Sequence, residues 1–204
     1  MRINKKKFIY LISPNKISTF FYKELEIVLK SNKVSFFQLR LKKYTFKKKL
    51  IIGKKIKKIC KKYKTKFLIN DDVILAKRLD TDGCHLGQKD MNILDARNIV
   101  KKKIIGITCH NSIRLGKLGL KNKADYLAFG AFHFSETKKT KHKASIGILK
   151  KIKKITKTPI VAIGGINSHN YKKLLLNKAD FLAISGYIWN NKKLKPLEAI
   201  KKLK

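Results

Sequence analysis

The sequence predicts an α/β fold, a (β/α)8 TIM barrel built as one domain over residues 1–204, and three observations support it. Short continuous apolar runs alternate with lysine-rich helical segments through eight strand–helix units. Such runs do not alternate apolar with polar, as expected of strands covered on both faces. A faint repeat, Thr81-Asp82-Gly83, Ala124-Asp125-Tyr126 and Ala179-Asp180-Phe181, sets an aspartate just before a strand. Those acids belong at the bottom of a barrel and read as structural. A doubly wound open sheet is the alternative arrangement of the same units.

Taken in order, Phe8 to Ile12 is a buried strand closed by Pro14. From Ile17 to Lys30, the residues Phe20, Phe21, Leu25, Val28 and Leu29 recur on one helical face. The second strand, Val34 to Arg40, is followed by Lys42. Gln38, Arg40 and Lys42 alternate along the chain and so point to one side. A helix from Phe46 to Tyr63 repeats Leu50, Ile51, Ile56 and Ile59 among lysines. Phe67 to Val73 and Gly83 to Asp90 are apolar runs that each stop at a polar cluster, with a crossover helix, Val73 to Leu79, between them. Asp95 to Val100 is helical, and Lys103 to Thr108 is the fifth strand. Ser112 to Leu120 precedes the sixth, Ala124 to Gly130. Ala131 to Lys143 reads as a long, basic, structureless loop. Ile146 to Ile155 and Ser168 to Leu176 are helices around strand seven, Pro159 to Ile163. Strand eight is Ala179 to Ile184, and the last helix begins after Pro196.

The formal net charge is +39, from 51 Lys and Arg against 12 Asp and Glu. A nucleic-acid partner is the first thought. Yet the lysines are spread over nearly every helix, and no aromatic-interleaved basic motif for base stacking occurs. The charge predicts nonspecific adhesion to polyanions and no specific nucleic-acid site. No apolar run reaches the roughly 18 residues of a membrane span. The basic start, Met1 to Lys7, is followed by an apolar run of only Phe8 to Ile12, too short for a signal peptide. Cys60, Cys84 and Cys109 show no paired or zinc spacing and read as reduced thiols in a cytoplasm. A homo-oligomer is compatible with all of this.

On a barrel, chemistry belongs at the C-terminal ends of the strands. Asp71 and Asp90 stand at successive strand ends in an acid-poor chain, which suggests a divalent cation, most simply Mg²⁺ bridging to phosphate oxygens. The competing reading makes Asp71 and Asp72 helix caps. Gly164-Gly165 and Ser185-Gly186 close strands seven and eight, where backbone N–H groups commonly hold a phosphate. Arg40, Lys42 and Lys138 suit a second anionic site. Two anion sites with a metal between them imply a substrate pair, one member carrying a pyrophosphate. The loop containing Ser135-Glu136-Thr137-Lys138 lies at a rim position suited to a lid. His85 reads as a packed histidine bonded to backbone, and Cys109-His110 as neighbours pointing oppositely rather than a dyad.

The strings Gln38-Leu39-Arg40-Leu41-Lys42, Ile69-Asn70-Asp71-Asp72-Val73, His85-Leu86-Gly87-Gln88-Lys89-Asp90, Thr137-Lys138 and Ala162-Ile163-Gly164-Gly165-Ile166 together resemble the thiamine phosphate synthase and thiazole tautomerase family, from about Phe8 to Ile188. The resemblance implies a transferase of thiamine biosynthesis, which joins hydroxymethylpyrimidine pyrophosphate to thiazole phosphate and releases pyrophosphate. It implies Gln38, Arg40, Lys42, Asn70 and Lys138 as ligands of the pyrimidine pyrophosphate, with Thr108 in place of a usual serine. It implies Asp71 and Asp90 as Mg²⁺ ligands. Ser135, Thr137, Gly165 and the Ser185-Gly186 turn would hold the thiazole phosphate. The loop departs from the family pattern in Ala131-Phe132-His133-Phe134-Ser135, where a proline and a threonine are usual. The Asn70-Asp71 pair and Asp90 favour the coupling enzymes over their tautomerase cousins.

Overall fold

The computed structural model describes residues 7–134 and 142–203. Eight parallel strands close into a barrel in sequence order, each pairing with the next and the eighth with the first. They are β1 (Ile9–Ile12), β2 (Val34–Leu39), β3 (Lys66–Asn70), β4 (Gly83–Leu86), β5 (Ile104–His110), β6 (Tyr126–Gly130), β7 (Ile160–Ile163) and β8 (Phe181–Ile184). The helices are α1 (Phe21–Lys30), α2 (Phe46–Lys62), α3 (Val73–Leu79), α4 (Ile93–Val100), α5 (Ile113–Lys121), α6 (Gly147–Lys153), α7 (Tyr171–Leu176), α8 (Gly186–Trp189) and α9 (Pro196–Lys201). The open-sheet alternative is thereby excluded.

Strand alternation divides the core into two shells. Ile9 and Leu11 face outward to the helices, whereas Tyr10 and Ile12 face inward. The inner shell is filled by Tyr10, Phe36, Leu68, Tyr126, Val161 and Phe181. Tyr10 stacks on Phe36 at a centroid distance of 5.3 Å, and Phe36 meets Phe181 edge to face at 5.1 Å. This plug is the floor on which any site at the strand ends must rest.

The repeated aspartates act as expected, and each does the same job. Asp82 accepts from the amide of Phe67, Asp125 from that of Ile105, and Asp180 from that of Ile160. Each carboxylate thus ties the start of one strand to the start of the next, and each also meets a cation, Lys66, Arg97 and Lys153 respectively. A strand's first N–H at a barrel bottom otherwise has no ladder partner.

Several boundaries differ from the sequence expectation. The first helix starts at Phe21, not Ile17, because the Ile17 amide donates to the Tyr44 hydroxyl (3.3 Å) and no side chain caps Phe20. The fourth begins at Ile93, capped by Asn92 through the Asp95 amide. The short helix α8 was not expected; Ile188 and Trp189 N–H groups return to the Ser185 carbonyl. The described ends of the loop from Ala131 to Lys143 are not structureless. Ala131 exchanges backbone bonds with His142 and Ala144, and His133 donates to the Gly164 carbonyl.

Candidate active site

The end of β3 separates two adjacent aspartates by role. Asp72 is the N-cap of α3: its Oδ1 accepts from the Leu75 amide at 2.9 Å, and Lys49 lies 3.4 Å from Oδ2. Asp71 does no capping. Its backbone is left-handed (φ +64°) and its amide donates to the His85 carbonyl, which swings the carboxylate toward the end of β4. There it lies within hydrogen-bond reach of Asp90, and Lys42 Nζ stands 3.1 Å from its Oδ2.

Asp90 is held from behind, its Oδ2 accepting the Gly87 amide at 2.7 Å. Burial and the neighbouring Asp71 carboxylate push Asp90 above the ordinary carboxylate range, against the pull of the Gly87 N–H. Burial also works to raise Asp71, but the bonds from Asp90 and Lys42 outweigh it and leave Asp71 low. Two carboxyls this close share protons or a cation. Among the described residues no cluster of three or more His, Cys, Asp or Glu forms a metal cage. Two hard oxygen donors beside open space are what Mg²⁺ takes when substrate phosphates and water complete its shell, so the donor set fits that ion.

The β2 cluster faces this pair. Arg40 is half-buried; burial lowers its proton affinity, and the field of Asp71 opposes that shift. Its Nη1 donates to Asn15 Oδ1 (3.3 Å), and its amide donates to Ser13 Oγ (2.9 Å). Lys42, Asn70 and Asp71 line a cleft of about 230 Å³ together with Lys49, Asp72 and Leu75. Gln38 points into the barrel, 2% exposed, and donates from Nε2 to the Tyr10 hydroxyl. Thr108, on β5, is reached by His85 Nε2 at 2.9 Å, and its carbonyl accepts from Gln88.

Residues 9–188 match the sequence profile of a family described as thiamine monophosphate synthase. The chain belongs to that family. It is 69% identical to the thiamine-phosphate synthase of Pelagibacter ubique, covering all of both chains. It is 37% identical to that of Erythrobacter litoralis, over 89% of this chain and 88% of the other. The barrel superposes on a thiamine phosphate pyrophosphorylase from Pyrococcus furiosus with a TM-score of 0.86 and 28% identity, covering 98% of this chain and 94% of that one. An orotidine 5'-phosphate decarboxylase from Pyrococcus horikoshii, at 13% identity and a TM-score of 0.66, shares the fold alone.

The turns after β7 and β8 lie at the same rim of the barrel. Gly164 (φ +105°) and Gly165 (φ +59°) adopt backbone that disfavours a side chain. The close neighbour is the protein's own loop: a Cβ on Gly165 would stand 2.1 Å from the Phe134 carbonyl oxygen. Ser185 gives its hydroxyl hydrogen to the Ser13 carbonyl (3.1 Å), so its turn can offer an incoming phosphate backbone N–H groups rather than that proton. Ser135, Thr137 and Lys138, and with them the lid expectation, lie outside the described residues.

His85 departs from its sequence reading. Both ring nitrogens meet side chains, Tyr126 and Thr108, not backbone. Cys109 is buried with its thiol pushed up to about 12 by burial and directed at the Ile107 carbonyl, whereas the His110 ring lies tilted against that of His142 at 4.0 Å, so the two side chains have separate surroundings. Ser13, Asn15, Tyr10 and Tyr126 are site neighbours that sequence reasoning missed. A tyrosine inside an apolar strand run was the available signal, because a buried phenol needs a hydrogen-bond partner.

Proposed function

We infer that this chain is a thiamine-phosphate synthase, a transferase that joins hydroxymethylpyrimidine pyrophosphate to thiazole phosphate and yields thiamine phosphate and pyrophosphate. The observation that supports this most is the carboxylate pair Asp71–Asp90 set against Lys42 and Arg40, in a chain whose full length matches the Pelagibacter ubique enzyme of that name.

The chain's own groups account for each requirement of the reaction. Arg40 and Lys42 set fixed positive charge against the charge that builds on the departing pyrophosphate, and Lys138 would add to them. Asn15 and Ser13 hold Arg40 in place for that task. Gln38 and Asn70 orient the pyrimidine, and Thr108 contacts the pyrophosphate. Asp71 and Asp90 would hold Mg²⁺, which when bound supplies further neutralisation of the pyrophosphate oxygens. Gly165, the Ser185-Gly186 turn, Ser135 and Thr137 would seat the thiazole phosphate so that its ring nitrogen faces the pyrimidine carbon. Once the electron-rich aminopyrimidine can bear the positive charge left by the leaving group, no protein nucleophile is required, and positioning with electrostatics suffices. The elevated Cys109 thiol is consistent with that economy.

The cytoplasmic reading is supported by three free, buried cysteines, and among the described residues no helix is long and apolar enough to cross a membrane. The test is a coupling assay following thiamine phosphate from the two substrates, with and without Mg²⁺. Thermal unfolding runs beside it. A synthase gains stability from pyrimidine pyrophosphate only when the metal is present. A protein stabilised by thiazole phosphate alone, with no product formed, would refute the reading and favour a tautomerase-like relative.

A further inference from the structure

The barrel interior contains a set of buried polar groups of which only Gln38 has so far been given a task in the coupling chemistry. Tyr10, Gln38, His85 and Tyr126 are each at most 8% exposed, yet their polar atoms form an unbroken series. Gln38 Nε2 donates to the Tyr10 hydroxyl at 2.8 Å, and that hydroxyl lies 2.8 Å from the hydroxyl of Tyr126. The Tyr126 hydroxyl lies 2.8 Å from His85 Nδ1, and His85 Nε2 lies 2.9 Å from Thr108 Oγ1. Five strands, β1, β2, β6, β4 and β5, are thus joined by one series of side chains.

Each hydroxyl carries one hydrogen, and a neutral imidazole carries one. Burial pushes both phenols well above their ordinary range, so each keeps its hydrogen. With a neutral imidazole such a series has two self-consistent directions. When Gln38 donates, Tyr10 passes its own hydrogen to Tyr126, and Tyr126 passes its hydrogen to Nδ1. The imidazole then keeps its hydrogen on Nε2 and gives it to Thr108. The hydrogen of Thr108 is left to point out of the series. In the opposite direction Nε2 takes the Thr108 hydrogen, and only lone pairs face outward. An anion is attracted by the first arrangement and repelled by the second. The Thr108 carbonyl is meanwhile fixed by Gln88, which leaves the hydroxyl direction as the remaining variable.

We propose that Gln38, Tyr10, Tyr126 and His85 form one directional hydrogen-bond chain that turns the Thr108 hydroxyl hydrogen toward a substrate phosphate. Gln38 sets the direction, and Tyr126 and His85 are positioning residues. The proposal rests on the reading of Thr108 as a pyrophosphate contact. It makes the two ends of the pyrimidine pyrophosphate site interdependent, because the amide orientation of Gln38 is read out at Thr108.

Nitrogen-15 NMR of the His85 ring in the full-length protein tests the direction without substrate. Hydrogen on Nε2 and none on Nδ1 is expected; the reverse tautomer overturns the proposal. Tyr126→Phe keeps the ring that packs over Gly106 and removes the hydroxyl that accepts from Tyr10 and donates to Nδ1. It should abolish the tautomer preference and lower kcat about ten- to a hundredfold, as Thr108→Ala should. KM for thiazole phosphate should stay constant, and Thr108→Ser should restore activity. The double variant should be no slower than Thr108→Ala alone. Additive losses, or an unchanged kcat in Tyr126→Phe, overturn the chain. If the wild-type protein does not couple at all, the functional reading fails separately. Affinity for inorganic pyrophosphate, measured by calorimetry, then decides the chain: Tyr126→Phe must weaken it roughly tenfold, and equal affinity refutes it.

Discussion

Asp71 and Asp72 are neighbours with the same side chain, and the structure assigns them opposite signatures. Asp71→Asn preserves the backbone, since asparagine tolerates the left-handed conformation at φ +64°. It removes one of two carboxylates from the pair and leaves Lys42 without its partner. Lys42 is more than half exposed at 57%, so the lost ion pair is worth little in stability. Relief of the Asp71–Asp90 repulsion acts in the other direction. The net change in stability should stay within about 0.5 kcal/mol, as for ordinary surface substitutions.

Metal binding responds very differently. A unit charge on a cation about 4 Å away contributes up to about 4 kcal/mol at an effective dielectric of about 20. A loss of roughly 2–4 kcal/mol corresponds to about 30- to 700-fold weaker Mg²⁺ affinity, at about 1.4 kcal/mol per tenfold. Asp72→Ala, by contrast, removes the α3 cap and costs about 1 kcal/mol. For a chain of this length that lowers Tm by roughly 2–4 °C. Coupling rates across a Mg²⁺ titration, set beside thermal unfolding, separate the two. Near-normal turnover of Asp71→Asn at low Mg²⁺, or a Tm loss larger than that of Asp72→Ala, would refute the division of roles.

Further outcomes follow from single contacts. Arg40→Ala should weaken the pyrimidine pyrophosphate far more than thiazole phosphate, and Asn15→Ala should do the same to a smaller degree; calorimetry giving equal losses for both ligands contradicts the two-site division. Asp180→Ala leaves the Ile160 amide and the largely buried Lys153 without their acceptor, so a loss of about 2–4 kcal/mol by urea unfolding is expected; a loss under about 0.5 kcal/mol would deny the strand-tying role. Gly165→Ala should destabilise by at least about 1–2 kcal/mol, since φ is +59° and the Phe134 carbonyl blocks the Cβ; an unaltered Tm rejects the close approach. Lys103 and Lys57 hold Asp80 below the ordinary carboxylate range. Its folded pKa being the lower one, its contribution is present above the unfolded value of about 4 and lost as pH falls through the folded value. Asp80→Asn should therefore cost stability at neutral pH and not in strong acid, and the difference should shrink with salt; a pH-independent difference refutes the linkage.

The barrel was legible in the sequence because burial on both faces makes a strand a short, mostly apolar run, and eight such runs separated by helical segments allow few other closures. The aspartate repeat was legible for a related reason: an acid recurring immediately before a strand has a local target, the orphan amide at the neighbouring strand's start. The acid pair was legible as a composition anomaly, and the choice between capping and ligation was not. Tertiary structure gave the cap to Asp72 alone, because a left-handed turn at Asp71 and a backbone bond to His85 rotate the Asp71 carboxylate away from the helix. The Gly164-Gly165 pair was visible as a phosphate turn, but its crowding by Phe134 arises from a loop some thirty residues earlier. The same holds for Ser13 and Asn15 beside Arg40, and for Tyr10, Tyr126 and His85 in one series. Residues that are 116 apart in sequence, as Tyr10 and Tyr126 are, become hydrogen-bond partners only when the sheet closes. Period and composition are properties of neighbours along the chain; a hydrogen-bond partner is a property of barrel closure and register, which no local pattern contains.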